Sequence, residues 1–433
     1  MNTAGLSLDN VPEFRIPMGF FLSAPWFGML AALLMLISPE LISSRWHPSM
    51  LATVHLLTLG FGAMIMVGAM IQVLPVLSSQ PVPAAATLSP WIRGGLASGT
   101  LFLALGFLFN QNSLFYIALA LLAGVFMLFL GALGVALVRV KSGGDSVFSL
   151  RLAALCLLVT VLFGVLQLST YMDLNWIGYS FERTDSHALL GLAGWGMLLI
   201  MGVSFQVIPM FHVAPAFPWW FCRGSSALLF ITLVIALLAS GAISKAALLM
   251  LPLIICFYGG YALYLIYQRK RKLVDYTIRF WQLSFTNLVL LCLVYLLHQL
   301  GLSIMPESAQ FYLLLGFGFG LGFVVSVMLG MLQKIVPFLM FLHLQRACIH
   351  EPGAFMKLPN MRQLLPQSDS KWQYYLHISA LATLYLSFFG GDLQYPLLFV
   401  AAALLLASFA WLFKTLWQAN RRYIESMASI TAK

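Results

Sequence analysis

The sequence predicts an all-α, polytopic integral membrane protein with about 12 transmembrane helices in three pseudo-symmetric four-helix units. Hydrophobic residues make up 61% of the 433 residues and charged residues only 8%, and the mean hydropathy is +0.94. Apolar runs of about 20 residues, the length at which a helix crosses a bilayer, recur along the whole chain. Because the bilayer interior offers no water to the backbone, such runs must be helical.

Twelve apolar segments follow one another, and nothing between them indicates a soluble domain. We therefore expect a single membrane domain over residues 1–433, with internal units at approximately 18–138, 152–267 and 279–417. The longest predicted loop runs from His343 to Gln373 and contains turn-forming Pro and Gly. The predicted segments cover residues 18–37, 51–77, 94–112, 114–138, 152–170, 187–211, 224–242, 246–267, 279–301, 311–336, 374–390 and 395–417.

Three stretches of the chain repeat one pattern. Each begins with Gly and an aromatic residue, has a second Gly eight positions after the first, and ends on a Pro seven positions later; they are Gly60–Pro75, Gly194–Pro209 and Gly322–Pro337. They fall on predicted segments two, six and ten, which is the basis for the three units and points to a site between units. Small residues let membrane helices approach closely, so we expect close helix contacts at the second glycines, which are Gly68, Gly202 and Gly330. The three repeats end at Pro75, Pro209 and Pro337.

Lysines and arginines are divided unevenly between the two sides of the predicted membrane domain. If both termini are cytoplasmic, 20 of the 23 basic residues face the cytoplasm, and only Arg45, Arg183 and Lys245 face the other side. This bias predicts a bacterial-type inner membrane protein with both termini in the cytoplasm. Basic loops against anionic lipid account for the net charge of +10, so the lipid bilayer is the expected partner and no nucleic acid is expected. The short N-terminus lacks the basic start of a signal peptide, so the first helix is expected to be retained.

Several kinds of chemistry find no support in the sequence. All 13 acidic residues lie outside the predicted segments, whereas proton pumps and many ion-coupled carriers keep carboxylates at membrane depth. The five cysteines form no CxxC and no paired spacing, and are expected to fill space within helices. No nucleophile motif, phosphate loop or dinucleotide fingerprint is present.

Histidines are the remaining candidates for chemistry. His55 and His187 lie near the outer ends of segments two and six, and His298 returns to the same level at the end of segment nine. His55 precedes the first Gly of its repeat by five residues, and His187 precedes that of its own repeat by seven. Relative to the repeat, the two side chains therefore differ by about 200° in their position around the helix axis. Each alone could be an interfacial histidine bonded to a carbonyl or to water. Together at one depth they are equally candidates for ligation of haem or copper, with Met as a further ligand.

Two further features near the predicted site have two interpretations each. Asp185 either orients a histidine ring or caps its helix, and capping is favoured. The glycines near the start of each repeat leave a helix surface without side chains. This surface either allows close helix packing or receives a flat macrocycle, and packing is favoured. Gln72, Gln206 and Gln333 lie shortly before the repeat prolines, and the first is about 25 Å from His55 along the helix. We expect these glutamines to satisfy backbone groups beside the prolines.

Segments two and six resemble subunit I of the haem-copper oxidases, and above all its non-oxidase branch that includes the NnrS proteins. The resemblance is carried by His55-Leu-Leu-Thr-Leu-Gly60-Phe with Gly68 through Pro75, and by His187 through Pro209. Relatives in that branch show the pattern H-x-x-x-x-G-[FW]-x₆-G-x-x-[YF]-H-x-x-P. The resemblance covers these stretches closely and the helix layout loosely. It implies a membrane protein that contains haem and copper and is linked to nitric oxide stress.

The chain departs from the oxidase pattern at several positions. Segments seven and ten contain no His, where an oxidase core has a His pair and two His, and Gln72 and Gln206 stand where relatives place His. A complete centre that reduces oxygen or nitric oxide is therefore not expected, and catalytic residues and enzymatic activity are left open. We expect at most one haem b or one copper, with ligands from His55, His187 and His298, of which His55 and His187 are the metal pair.

The expected role is in nitric oxide tolerance, metal handling or respiratory-complex maturation, with a respiratory or assembly protein of the membrane as partner. Two alternatives from other classes stay open at this point. One is a cofactor-free permease for a small molecule, and the other is a structural subunit that kept the oxidase scaffold. Fold analogy alone does not choose between them.

Overall fold

The computed structural model describes residues 12–141, 144–174, 176, 178, 180–302, 309–349 and 352–431. These residues contain helices and turns but no strand, which confirms the all-α fold class. The described part of the chain has twelve helices of at least 20 residues. They are α1 Arg15–Ile37, α2 Pro48–Ser78, α3 Ala85–Phe109, α4 Asn112–Arg139, α5 Asp145–Tyr171, α6 Phe181–His212, α7 Trp219–Leu238, α8 Gly241–Tyr267, α9 Tyr276–Gln299, α10 Gln310–Ile349, α11 Gln367–Ser387 and α12 Gln394–Thr431.

Eleven of these helices are long and apolar enough to cross a membrane, judged by length and composition, and α11 is the exception. It occupies the place of the eleventh predicted segment but begins earlier, with Asp369 and Lys371 in its first turns. Farther along, its buried face carries Ser370, Gln373 and His377 rather than apolar side chains alone. Polar residues inside the bundle therefore lower the hydropathy of this helix.

Helices α2, α6 and α10 each contain a π-helical segment at the same point of the repeat. The segments are Leu56–Ala63, Leu190–Gly196 and Gly318–Val325, and each includes the first Gly of its repeat. In a π segment the backbone bonds between residues five apart, which accommodates one extra residue in a turn. The sequence pattern thus marks an irregular helix in all three units, a feature that we did not predict.

The two glycines of each repeat both contact the first helix of the same unit. In unit one, a Cβ atom at Gly68 would lie 2.7 Å from the Cβ of Phe20, and a Cβ at Gly60 would collide with the ring of Phe27, both on α1. Equivalent contacts recur on α5 and α9. They pair Gly194 with Cys156, Gly202 with Ser149, Gly322 with Asn287 and Gly330 with Phe280.

The spacing of these contacts explains the π segments. The facing residues are seven positions apart on α1, α5 and α9, whereas the glycines are eight positions apart on α2, α6 and α10. Seven α-helical residues make nearly two turns, while eight overshoot two turns by about 80°. The π segment takes up the additional residue, so both glycines stay on the face that meets the neighbouring helix.

The outer helices form a ring around α2, α6 and α10. Within the units α3 packs on α4, α7 on α8 and α11 on α12, and between units α4 packs on α5, α8 on α9 and α12 on α1. In the most apolar stretch of α2, 67% of the residues are buried, and in those of α6 and α10 72%, against 28% to 56% in the other candidate spans. The three repeat-bearing helices are therefore the interior of the bundle.

One end of the bundle, here called the basic end, contains the start of α1 and the connections from α2 to α3, α4 to α5, α6 to α7, α8 to α9 and α10 to α11. There Lys334, which takes the repeat position of Gln72 and Gln206, pairs with Asp275, the N-cap of α9, at 2.9 Å between Nζ and Oδ2. Burial raises the pKa of the Asp275 carboxyl, but Lys334 and hydrogen bonds from Thr277 outweigh it and hold that pKa below its usual value.

Several predicted boundaries are wrong because helices continue past the apolar stretch that defined them. α10 extends to Ile349, so the predicted loop from His343 to Gln373 is shorter, and it contains the 3₁₀ helix Pro352–Lys357 and the short helix Met361–Leu364. α12 likewise extends well beyond residue 417.

The same extension corrects two further expectations. Asp145, Glu182 and Glu425 belong to the ends of helices rather than to loops or tails. The repeat prolines do not interrupt their helices: α2 ends one turn after Pro75, and α10 continues far beyond Pro337. A proline in a helix removes only its own N–H bond, which long packed helices tolerate.

Leu in place of Gly68, Gly202 or Gly330 should destabilise the protein, because its side chain would overlap α1, α5 or α9. Overpacking of this kind costs about 1–3 kcal/mol, so thermal unfolding of the purified protein in detergent should begin at lower temperature. Gly131→Leu and Gly134→Leu are matched controls, since nothing lies within 4 Å of a Cβ at either position. Repeat variants as stable as these controls would contradict the contact role.

Candidate functional site

The structure brings two of the three predicted ligands, His55 and His187, together at the end of the bundle opposite the basic end. Their ring centroids are 6.5 Å apart and the ring planes are inclined by 24°. His55 directly precedes the π segment of α2, and His187 lies three residues before that of α6. α2 and α6 are equivalent helices of units one and two, and where the two units meet, each turns a different face toward the other. The rotational difference of about 200° therefore allows both rings to enter the same junction.

Each imidazole is oriented by a backbone carbonyl at its Nδ1 atom. The Nδ1 of His55 lies 2.7 Å from the carbonyl oxygen of Leu51, one turn earlier, and the Nδ1 of His187 lies 3.0 Å from that of Thr160 on α5. Because a carbonyl only accepts, Nδ1 donates in both neutral rings and Nε2 keeps its lone pair. Bonds of this kind fix the tautomer and the orientation of metal-binding imidazoles.

Apolar rings and a bare helix surface flank the histidine pair. The ring of Phe107 on α3 lies 5.3 Å from that of His55 and belongs to an aromatic cluster with Phe115 and Tyr171. On the other side, the ring of His187 lies over Gly164 of α5, where a Cβ atom would be 3.2 Å from its Cε1. The two rings are half-buried between these walls.

Polar contacts fasten the start of α6 to α5 next to the pair. Thr184, one turn before His187, donates a hydrogen bond to Oε1 of Gln167, and Nε2 of Gln167 lies 3.5 Å from the carbonyl oxygen of Arg183. The contacts at Gln167, Gly164 and Thr160 follow one face of α5. This face therefore sets the height and the rotation of His187.

Asp185 takes neither of its predicted roles. Its carboxylate pairs with Arg45, in the connection before α2, at 2.6 Å. Since α6 begins at Phe181, after Ser180, Asp185 lies in the second turn and is too late in the helix to cap it. The ion pair links the same two helices as the histidines, although such an exposed pair contributes little stability.

His298, the third predicted ligand, lies elsewhere. It is in the last turn of α9, and its ring stacks on that of Phe311 at the start of α10, with centroids 3.9 Å apart. α9 packs against α8, α10 and α11, whereas α2 packs mainly on α1 and α3. His47, at the same end as the pair, accepts a hydrogen bond from the N–H of Ser49 and so caps α2.

Two of the three glutamines before the repeat prolines, Gln72 and Gln333, do not fulfil their predicted role. Gln72 and Gln333 are 2% and 4% exposed, and neither side chain forms a hydrogen bond. Each proline frees only the single carbonyl that its ring nitrogen cannot serve, so the backbone near Pro75 and Pro337 demands little from them.

The separation of the two histidine rings is compatible with one metal ion between them. With metal–nitrogen bonds of about 2.0 Å, two imidazoles on opposite sides of one ion have ring centroids about 6 Å apart, near the observed 6.5 Å. Imidazole is a usual protein ligand of haem iron and also suits copper. In the described part of the chain no group of three or more His, Cys, Asp or Glu lies together, so the histidine pair would supply only two protein ligands of this kind.

The residues of this site that were not found from the sequence include Phe107, Thr160 and Gly164. Thr160 acts through its carbonyl, which leaves no sequence signal, and Phe107 is one of many aromatic residues in an apolar segment. Gly164 did carry a signal, because an isolated glycine inside a helix often marks a close approach.

Comparison with models of known families finds no match, and a search of curated proteins finds none either. The resemblance to haem-copper oxidase subunit I therefore stays an expectation that depends on the residues quoted for it. The geometry of the histidine pair is an independent observation, since it follows from the folded chain alone.

Replacing Gly164 by Leu should weaken binding of haem or copper. The new side chain would displace the ring of His187 from α5, and disturbing the groups that orient a metal-binding imidazole costs about 10–100-fold in affinity. Titration of the cofactor-depleted protein with haemin or with Cu(I) would measure this loss. Gly124→Leu is the matched control on α4, where a Cβ meets nothing within 4 Å. Unchanged affinity in the Gly164 variant would rule out binding at His187.

Proposed function

We propose that this protein binds one b-type haem or one copper ion between His55 and His187, in nitric oxide tolerance, metal handling or respiratory-complex maturation. The observation that supports this proposal is the convergence of two imidazoles whose Nδ1 atoms both donate to backbone carbonyls. Each ring therefore offers its Nε2, the atom that a metal requires, in a fixed orientation.

The surrounding residues have distinct tasks in this proposal. The carbonyls of Leu51 and Thr160 hold the two rings and increase the basicity of their Nε2 atoms. Phe107 excludes water on one side, and Gly164 lets the other ring lie against α5. A bound haem or copper would supply one-electron chemistry and a place for a diatomic gas.

A cofactor-free permease or structural subunit needs no pair of oriented imidazoles. In such a protein the two rings would only satisfy carbonyls at the membrane interface. The difference is visible in the colour and the metal content of the purified protein.

Protein purified from haem-replete and copper-replete cells should carry about one equivalent of haem or copper, which His55→Ala and His187→Ala should each remove. Reduced-minus-oxidised and CO-difference spectra, together with metal analysis, measure this outcome. His298→Ala should keep the cofactor, because that ring stacks on Phe311 instead.

Two further variants sharpen the experiment. His212→Ala and His377→Ala should retain the cofactor, since His212 lies at the opposite end of α6 from His187 and His377 lies on α11 beside Ser326. His55→Gly should recover colour when free imidazole is added, because the cavity then admits the missing ligand. Wild-type protein with neither haem nor copper would refute the proposal and favour the permease or the structural subunit.

The orientation is part of the same proposal. The basic end would face the cytoplasm of a bacterial-type inner membrane, and the histidine pair would lie near the periplasmic face. A respiratory or assembly protein of that membrane would be the partner, and the bilayer the surroundings.

Reporter fusions after Lys433 and within Arg269–Lys272 should both report a cytoplasmic location, and one placed next to Lys245 should report the periplasm. The expected pattern follows from the 20 basic residues on one side. A periplasmic signal from either of the first two fusions would overturn the orientation, whatever the cofactor content.

A further inference from the structure

Helix α11 forms a buried polar seam with α10 and α12. On α11 this seam consists of the side chains of Ser370, Gln373 and His377, none of which is more than 1% exposed. They recur every three to four residues and so follow one face of the helix. Ser408 of α12 and Ser326 of α10 complete the seam; the amide of Gln373 donates to Ser408 at 2.7 Å, and Nε2 of His377 lies 2.8 Å from the hydroxyl of Ser326.

Polar atoms along this seam lack protein partners. They are the hydroxyls of Ser370 and of Thr415 on α12, Oε1 of Gln373 and Nδ1 of His377. Elsewhere the hydroxyls of membrane helices donate to a carbonyl one turn earlier, as Thr100 does to Leu96. Buried polar groups are nearly always paired with protein or with ordered water. Four such atoms along one seam therefore indicate a bound polar ligand.

The residues of the seam follow one another from the basic end toward the middle of the bundle. α11 and α12 are antiparallel: the indole of Trp411 donates to the carbonyl of Asp369, while Ser408 meets Gln373. Thr415 thus lies about one turn nearer the basic end than Trp411. Along α11, Ser370 to Gln373 and Gln373 to His377 are steps of about 4.5 and 6 Å.

These steps match the reach of single water molecules. One water with two hydrogen bonds spans at most about 5.5 Å between polar atoms, which is close to each of these rises along the helix axis. The seam ends at the π segment of α10, where Ser326 donates to the carbonyl of Leu321 and Asn287 to that of Gly318. Tyr385 of α11 donates in turn to Asn287.

We propose that the seam binds a file of water molecules from Thr415 and Ser370 to His377, and that it carries protons from the basic end to that imidazole. If Ser326 donates to Leu321, Nε2 of His377 donates to Ser326, and Nδ1 is left as an acceptor facing the seam. The groups against the ring are Ser326, Phe280 and the backbone carbonyl of Leu321, and no charged side chain in the described part of the chain pairs with it. The nearest charges on α11 are those of Asp369 and Lys371 at its start. His377 is therefore the proton-accepting group of the seam.

Water-edited solid-state NMR of protein labelled with ¹⁵N-histidine, in lipid bilayers, tests this directly. The His377 signals are identified by their loss in His377→Gln. In the wild type they should receive magnetisation from water as fast as those of an exposed histidine, and they should shift with bulk pH. Absence of transfer from water to His377 in the wild type would overturn the proposal without any variant.

Variants locate the water. Gln373→Leu with Thr415→Val should slow the transfer to His377 several-fold, since both remove polar atoms but keep side-chain volume. Thr383→Val is the matched control on the same helix, because its hydroxyl already donates to the carbonyl of Ser379. Equal transfer in the seam variant and the control would also overturn the proposal. Cofactor content at His55 and His187 should be unchanged in all of them, so this test is independent of the proposed function.

Discussion

The contact between each central helix and the first helix of its unit is the constraint on which this structure depends. Two glycines per helix remove every side chain from the contact, and partners such as Phe20 on α1 and Phe280 on α9 fill the space. In a membrane, where apolar burial does not drive helices together, close packing of this kind is a principal source of stability. Because the partners are seven residues apart and the glycines eight, each central helix must widen into a π segment between them.

The π segments in turn decide where polar groups gather. Widening a helix changes the direction of some carbonyls, and inside a bilayer those carbonyls need donors from the protein. In unit three Asn287 and Ser326 supply them, and in unit two Ser149 donates to the carbonyl of Leu198 just after the π segment. The histidine pair lies immediately before two of these segments, so irregular backbone and candidate chemistry occur at the same level of the bundle.

The sequence predicted the helices and the repeat well, because hydropathy and glycine spacing are local signals. It also predicted one depth for His55 and His187, whose rings the structure brings to 6.5 Å, and the junction between units accommodates their rotational difference. It did not predict the π segments, since nothing in a single segment shows the seven-residue spacing on the opposing helix. α11 was hard to delimit for a related reason: Ser370, Gln373 and His377 resemble loop residues until the helices that bury them are known. The role of Thr160 could not be predicted from the sequence, because it acts through its backbone carbonyl, which every residue type has.

The three units share the glycine contacts and the π segment but differ in the polar side chains around them. The candidate functional groups are found among these differences. Where unit one has a histidine before its π segment and unit two has one at a different rotational position, the central helix α10 of unit three has Phe317 at the position of His55 and no imidazole at that depth. Unit three instead has a histidine on α11, at the far side of its own π segment. In an exactly symmetric bundle each junction would join the same two faces, so any paired site would recur at all three junctions. Divergence between the repeats is therefore what permits a paired site at one junction and a polar seam in another unit, while the glycine contacts keep all three units in the same packing.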